Sequence, residues 1–320
     1  MNKNLEMGEF LRSRRARLTP AQAGMPDTTR RRVPGLRREE LAHLAGVSSD
    51  YYTRLEQGRA RTASPPVLDA LARALRLDDT ERAHLFDLAT PDPPPPRSHP
   101  PRPQRVRRAT YQLLDAVDRA FCPAFVLGRR TDVLAANRLA EALIADFDAL
   151  PARERNLARF VFLDDHARDL YADWGTVASD TAAMLRMDAG RHPDDPLLNE
   201  LVGELSVHSD CFRRHWAERN VYEHTDGAKS YHHPVVGKVT VSYQAMALPS
   251  EEDQILCIYT TEPGSASETA LRLLASWTNS PVDVPEGTAR RSGRQLPSGA
   301  GREYGSAIIE TDPDRRLSWL

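Results

Sequence analysis

Between Pro91 and Pro103, eight of thirteen residues are proline. Proline has no backbone N–H and holds φ at about −65°, so neither a helix nor a sheet ladder continues through such a run. It reads as a semi-rigid, extended spacer. Each side must therefore build its own core. The remaining signals divide the 320 residues into a first part at 1–90, a linker at 91–105, a second part at 106–277 and a tail at 278–320. The tail is rich in Gly, Ser, Pro and Arg without sustained periodicity, the pattern of a disordered segment.

Charge divides the same way. Residues 1–110 carry 21 Lys+Arg against 13 Asp+Glu, a net +8, and residues 111–320 carry 22 against 32, a net −10. A basic first part next to an acidic second part suits a nucleic-acid-facing head joined to a body that phosphate repels. The alternative is a solvated surface that happens to be basic. The positive charge is almost all arginine, which grips phosphate and guanine in bidentate fashion. No apolar run reaches membrane-spanning length, and Met1-Asn2-Lys3-Asn4-Leu5-Glu6 carries no apolar signal core. Cys122, Cys211 and Cys257 are odd in number and far apart, as expected of free thiols in a reducing cytoplasm.

The first part reads as all helix. Apolar residues recur at helical spacing in Leu5–Arg17, Leu36–Ala45 and from Val67 to Leu75. Ser48, Ser64-Pro65 and Asp78 or Asp79 are helix-start signals, and Gly58 is a stop. The second part mixes elements into an α+β domain with a small antiparallel sheet. Val106–Ala120 predicts an amphipathic helix with Tyr111, Leu114 and Val117 inward, and Ala124–Ala136 predicts a hairpin. Asn137 caps a helix to Phe147, and a helical stretch spans 155–217. Strands return at Gly227–His232, Lys238–Leu248 and Gln254–Thr261, and a helix closes at Ser265–Trp277. The strict alternation across Val239–Leu248 marks a half-buried strand.

The sharpest motif runs from Arg38 to Arg59. Ala42 is small where two helices would cross, and Gly46 can take the positive φ of a tight turn. Val47 would plug the angle, while Tyr52 and Leu55 would anchor a second helix. That leaves Ser49, Asp50, Thr53, Arg54 and Gln57 on one outward face, all able to bond base edges or phosphates. The sequence signature is a helix-turn-helix; the plainer alternative is a helical hairpin.

These residues resemble the XRE, or lambda-repressor-like, helix-turn-helix class. More narrowly, Arg31-Arg32-Val33-Pro34-Gly35-Leu36-Arg37-Arg38-Glu39-Glu40-Leu41-Ala42 and Tyr51-Tyr52-Thr53-Arg54-Leu55-Glu56-Gln57-Gly58-Arg59 resemble the MmyB-like transcription regulators. Phe212-Arg213-Arg214 with Trp216, and His232-His233-Pro234-Val235-Val236-Gly237, are similar to second-domain motifs of that family. The resemblance spans roughly 5–277 and implies a helix-turn-helix domain joined to a PAS-like ligand-binding domain. It places Ser49, Asp50 and Arg54 where bases are read in the major groove, with Arg54 suited to guanine. Asp50 could accept from cytosine or orient Arg54. Arg37, Arg38, Gln57, Arg59 and Arg61 flank the motif and suit phosphate, and Arg30, Arg31 and Arg32 could enter an adjacent minor groove or form a solvated run.

Phe125, Trp174, Met184, Met187, Phe212, Trp216, Tyr243, Met246 and Tyr259 could line an apolar cavity or simply pack a core. The PAS-like resemblance favours a cavity, and family knowledge suggests a small apolar ligand such as a fatty acid. His208, Cys211 and His215 share a helix face and could, with His224, His232 or His233, hold zinc, or be partly buried polar residues beside a sheet. The resemblance supplies no metal ligands there, and neither metal nor cofactor is expected. Ser206, Ser209 or Ser230 with a histidine and Asp210 or Asp226 would be needed for hydrolytic chemistry, but no Gly-x-Ser-x-Gly elbow, Walker A loop or strand-linked Gly-x-Gly-x-x-Gly is present, so no enzyme is expected. The expectation is a cytoplasmic, sequence-specific regulator that binds duplex DNA as a homodimer and senses a small apolar ligand, with no membrane partner. The alternative is an antitoxin-like interaction protein that binds DNA for autoregulation.

Overall fold

A computed structural model describes residues 3–25, 35–60, 63–90, 104–221, 225–249, 251 and 253–278. The proline run, the segment 278–320 beyond Thr278, and Arg30, Arg31, Arg32 and Arg61 lie outside the described residues.

The first bundle comprises α1 (Lys3–Arg17), α2 (Arg38–Leu44), α3 (Ser49–Glu56), α4 (Pro65–Leu75) and α5 (Asp79–Ala89). Local chemistry sets the ends. Ser48 Oγ accepts from the Tyr51 N–H at 3.1 Å and opens α3. Asp78 and Glu81 cap α5 reciprocally, Asp78 Oδ1 accepting from Glu81 N–H and Glu81 Oε2 from Asp78 N–H. Gly46 sits at φ 67° between α2 and α3, where the Val47 N–H reaches the Ala42 carbonyl at 3.0 Å. Phe10, Leu11, Leu36, Leu41, Tyr52, Leu55, Leu71 and Leu85 fill the centre. α1 crosses α3 closely at Gly8, where a Cβ would lie 2.5 Å from the Glu56 carbonyl oxygen.

The second part opens with α6 (Arg108–Arg119), β1 (Ala124–Leu127), a 3-10 turn at Arg129–Thr131, β2 (Val133–Ala136) and α7 (Arg138–Leu143). Helices α8 (Leu157–Leu163), α9 (Asp165–Leu170), α10 (Trp174–Arg191), α11 (Pro196–His208) and α12 (Asp210–Glu218) follow. Strands β3 (Asp226–His233), β4 (Gly237–Ala247) and β5 (Ile255–Thr260) and helix α13 (Ala266–Thr278) complete it. The strands form one antiparallel sheet in the order β2-β1-β5-β4-β3. Register pairs Lys229 with Val241, Tyr243 with Tyr259, and Cys257 with both Ala245 and Phe125. Those residues share the inner face, which meets the helical layer. Val126, Ala135 and Leu256 face outward beneath α6.

Two expectations are corrected. On α6 only Leu114 is buried, and Tyr111 stands 47% exposed. The reason is that α6 covers only the outer face of β1, β2 and β5, which needs one narrow stripe. α7 stops at Leu143 rather than Phe147; further on, Asp146 Oδ1 takes the Ala149 N–H at 3.0 Å, a local turn that competes with helix.

Candidate functional site

On α3 the burial follows the expected phase. Tyr52 and Leu55 are fully buried, Asp50, Arg54 and Gln57 are exposed, and Ser49 and Thr53 are half-buried. Arg37 and Arg59 are also exposed. Arg54 lies over the Tyr51 ring at 5.9 Å, which extends its guanidinium along the surface. Arg38, 45% exposed, also ties into the bundle. Its Nε pairs with Glu56 at 2.6 Å, and Arg15 Nε binds the other oxygen of the same carboxylate at 2.6 Å. Burial would raise the Glu56 carboxyl, but the bonds from Arg15 and Arg38 outweigh it and hold it below the usual carboxylate range. Arg38 thus joins α2 to α3 through Glu56 while part of its side chain stays at the surface.

The second feature is a cavity of about 360 Å³ between the inner sheet face and α10. Ligand pockets commonly enclose about 300–1,000 Å³. Phe125, Lys229, Tyr243, Cys257 and Tyr259 line it from the sheet, and Asp180, Thr181, Met184, Met187 and Asp188 from α10. Burial pushes the Cys257 thiol up to about 12 and leaves it an inert wall atom. Burial also lowers the Lys229 ammonium from its ordinary value, against the opposing pull of Cys257 and Asp180. The rim is ionic. Asp195 receives Arg129 at 2.5 Å and Arg130 at 2.6 Å, while the Arg130 N–H donates to Asp188 at 2.9 Å. Arg130 and Thr131 both have left-handed backbone, φ 58° and 60°, a strained arrangement for these residue types. Asn156 holds it, donating to the Arg130 carbonyl at 2.7 Å and to Asp132 at 2.9 Å.

The cavity therefore brings together Phe125, Met184, Met187, Tyr243 and Tyr259 of the residues singled out for a ligand. Trp174, Phe212, Trp216 and Met246 do not line it. Trp174 donates its indole N–H to the Val161 carbonyl within the helical layer. Phe212 and Trp216 stack on one another at 5.4 Å on α12, and Met246 points to the outer sheet face, 41% exposed. Its phase on β4, one off from Tyr243 and Ala245, decides that. Sequence reasoning missed Lys229, Asp180 and Cys257. For Lys229 and Cys257 the signal was the period of two on β3 and β5: buried Tyr231 fixes the inward phase of β3, and Lys229 lies two residues before it; Asp180, on α10, carried no such signal.

Among the described residues no group of three or more His, Cys, Asp or Glu side chains could hold a metal, and His224 lies outside them. Ser209 is the N-cap of α12 and accepts from the Phe212 N–H, and Ser230 Oγ sits 2.9 Å from Thr240 Oγ1. No helix among the described residues is long and apolar enough to cross a membrane.

The bundle is docked on the sheet domain through α1 and α5. Glu6 binds Arg186 of α10 at 3.0 Å and also Arg219. Arg14 and Arg17 donate to the carbonyls of Arg219 and Glu218 at 2.8 and 2.7 Å. His84 packs against Gly190, where a Cβ would meet its ring at 2.6 Å. Burial, with Arg186, Arg14 and Arg191 nearby, holds the His84 imidazole down to about 3, so it is neutral at physiological pH. Arg186 is itself 3.8 Å above the Trp216 ring.

A helix-turn-helix bundle docked on a sheet domain with an internal cavity defines a transcription regulator with a ligand-sensing domain. Residues 106–274 match the model described as the MmyB-like transcription regulator ligand binding domain, and residues 6–85 match a helix-turn-helix domain model. The chain belongs to the MmyB-like transcription regulators. No curated protein shows significant similarity to it.

Proposed function

We propose that the chain reads a specific duplex DNA site through α3, works as a pair of copies in the cytoplasm, and changes its DNA affinity when a small, largely apolar ligand, such as a fatty acid, enters the cavity. It acts as a regulator rather than an enzyme. Ser49, Asp50, Thr53, Arg54 and Gln57 would meet base edges, and Arg37 and Arg59 the phosphates. One recognition helix makes few base contacts, and two copies on half-sites roughly 34–36 Å apart double them. Tyr111 and Leu113 on α6, 47% and 42% exposed, are apolar surface that a second copy could cover.

The observation that carries the reading is α10. Its residues Asp180, Thr181, Met184, Met187 and Asp188 line the cavity, while Arg186 and Gly190 on the same helix hold the helix-turn-helix bundle through Glu6 and His84. A ligand shifts the DNA equilibrium only by its differential affinity for two arrangements. Coupling of about 1–3 kcal/mol, or roughly 5- to 150-fold in affinity, is the usual range. Footprinting promoters of its own and neighbouring genes, with and without extracted lipids, locates operator and ligand. Glu6→Gln should keep DNA binding and lose most of the ligand response. An undiminished response in that variant removes α10 as the route.

A further inference from the structure

Residues 104–107 follow the proline run directly in sequence, and they are tied to the wall of the cavity. Gln104 Oε1 accepts the Arg129 N–H at 2.8 Å. The Arg105 carbonyl accepts from Gln254 Nε2 at 3.1 Å. Arg107 pairs with Glu251. Arg129, Glu251 and Gln254 all line the cavity. They sit on neighbouring turns, because Leu127 pairs with Ile255 at this end of the sheet. The cavity opens here. Its lining residues Arg191, Ala247, Pro249 and Asp253 are exposed, whereas Lys229 and Tyr259 deeper in are half-buried and buried.

Two details make this contact responsive. Gly128 leaves no slack: a Cβ there would lie 2.4 Å from Gln104 Oε1, so an outward shift of the turn is passed to Gln104. Gln254 is an imperfect seat. It is 3% exposed, and its Oε1 has no hydrogen-bond partner among the described residues. A buried acceptor without a donor costs stability, which makes the fastening shallow.

We infer that residues 104–107 form a strap whose fastening competes with filling of the cavity. The inference rests on the cavity being the ligand site. A ligand that pushes the Gly128–Arg129 and Glu251–Gln254 turns outward releases the strap. Each freed residue adds roughly 3.3–3.6 Å of reach to the tether of the DNA-reading bundle. This route does not run through Glu6 and Arg186. Linkage makes it reciprocal: weakening the strap tightens the ligand by the same factor by which the ligand weakens the strap.

The test uses the full chain and dodecanoate. Affinity is read by titrated thermal shift, and the strap by the rate of tryptic cleavage after Arg105. Saturating dodecanoate should speed that cleavage about tenfold in the native chain, as for the loss of roughly one hydrogen bond. Gln104→Ala should cleave at the fast rate without dodecanoate and bind it about tenfold more tightly. Gly128→Ala should do the same, since its Cβ displaces the Gln104 side chain. Gln104→Glu keeps an acceptor for the Arg129 N–H and should behave as the native chain does. In Glu6→Gln the effect of dodecanoate on cleavage should persist. Binding with unchanged cleavage after Arg105, or equal affinity in the native chain and Gln104→Ala, overturns the strap and keeps the cavity as a ligand site. Binding to Gln104→Ala alone supports a strap that holds the cavity shut. No binding to either chain removes both readings.

Discussion

Two glutamates hold arginine pairs in this molecule, and they do different work. Glu56 is 1% exposed and is held by Arg15 and Arg38 inside the first bundle. Glu6 is 17% exposed and joins that bundle to Arg186 and Arg219 of the sheet domain. The chemistry is the same, but the first carboxylate is sealed and the second keeps some water. A sealed charge left without its partner costs several times more than one that water can reach. The Glu56 clamp is therefore a permanent part of the DNA-reading bundle. The Glu6 contact is one that a ligand could open.

The strongest way to break this comparison is to remove both acids in turn. Glu56→Ala should cost about 3 kcal/mol of bundle stability in denaturant unfolding, since it leaves the partly buried Arg15 with the Leu36 carbonyl but without its carboxylate. Glu6→Ala should leave the bundle folded. Acid should reproduce the first effect: the Glu56 carboxyl titrates below its unfolded value of about 4.3, so its contribution is complete above that pH and is lost as pH falls through the lowered value.

The docked interface should respond to milder acid. His84 is held at about 3 against an unfolded value of about 6.5, so the unfolded chain takes up the proton first and stability falls as pH drops below 6.5. Between pH 6.5 and 5 the loss should be about 2 kcal/mol, and His84→Phe, which keeps a ring against Phe10, should abolish that slope in thermal melts. Arg54→Ala sits beside the Glu56 clamp but faces out, so it should spare stability. It should cost about 1–3 kcal/mol at the cognate site and relax preference at one base, as titration against a panel of site variants would show. Met246→Ala should change neither stability nor ligand response by more than about 0.5 kcal/mol, because that side chain stands on the outer sheet face.

The reading bundle was legible in sequence because its signals are local. Ser48, Gly46 and the Leu41–Leu55 spacing each act within a turn or two, and five helices appear close to where they were expected. The strands were legible for the same reason. The cavity was only half legible. Phe125 and Phe212 look alike in composition, yet one faces the cavity and the other packs among helices. Which does which depends on how distant segments register across the sheet. Lys229 was passed over because Asp226–His233 is mostly polar, and only the phase set by Tyr231 turns it inward. Nothing local in the sequence shows that Glu56 also holds Arg38.

The docked arrangement leaves Asp50, Arg54 and Gln57 open to solvent while α1 and α5 are engaged. In this arrangement the reading face is already open, so a ligand has no need to unmask it. What docking fixes is the direction in which each head points. Two heads swinging on free proline tethers would accept operators with half-sites at several separations. In the proposed pair, two heads clamped to one body would accept one, so loosening the Glu6 contact should appear first as tolerance for inserted base pairs between half-sites, before any change in affinity for the parent operator.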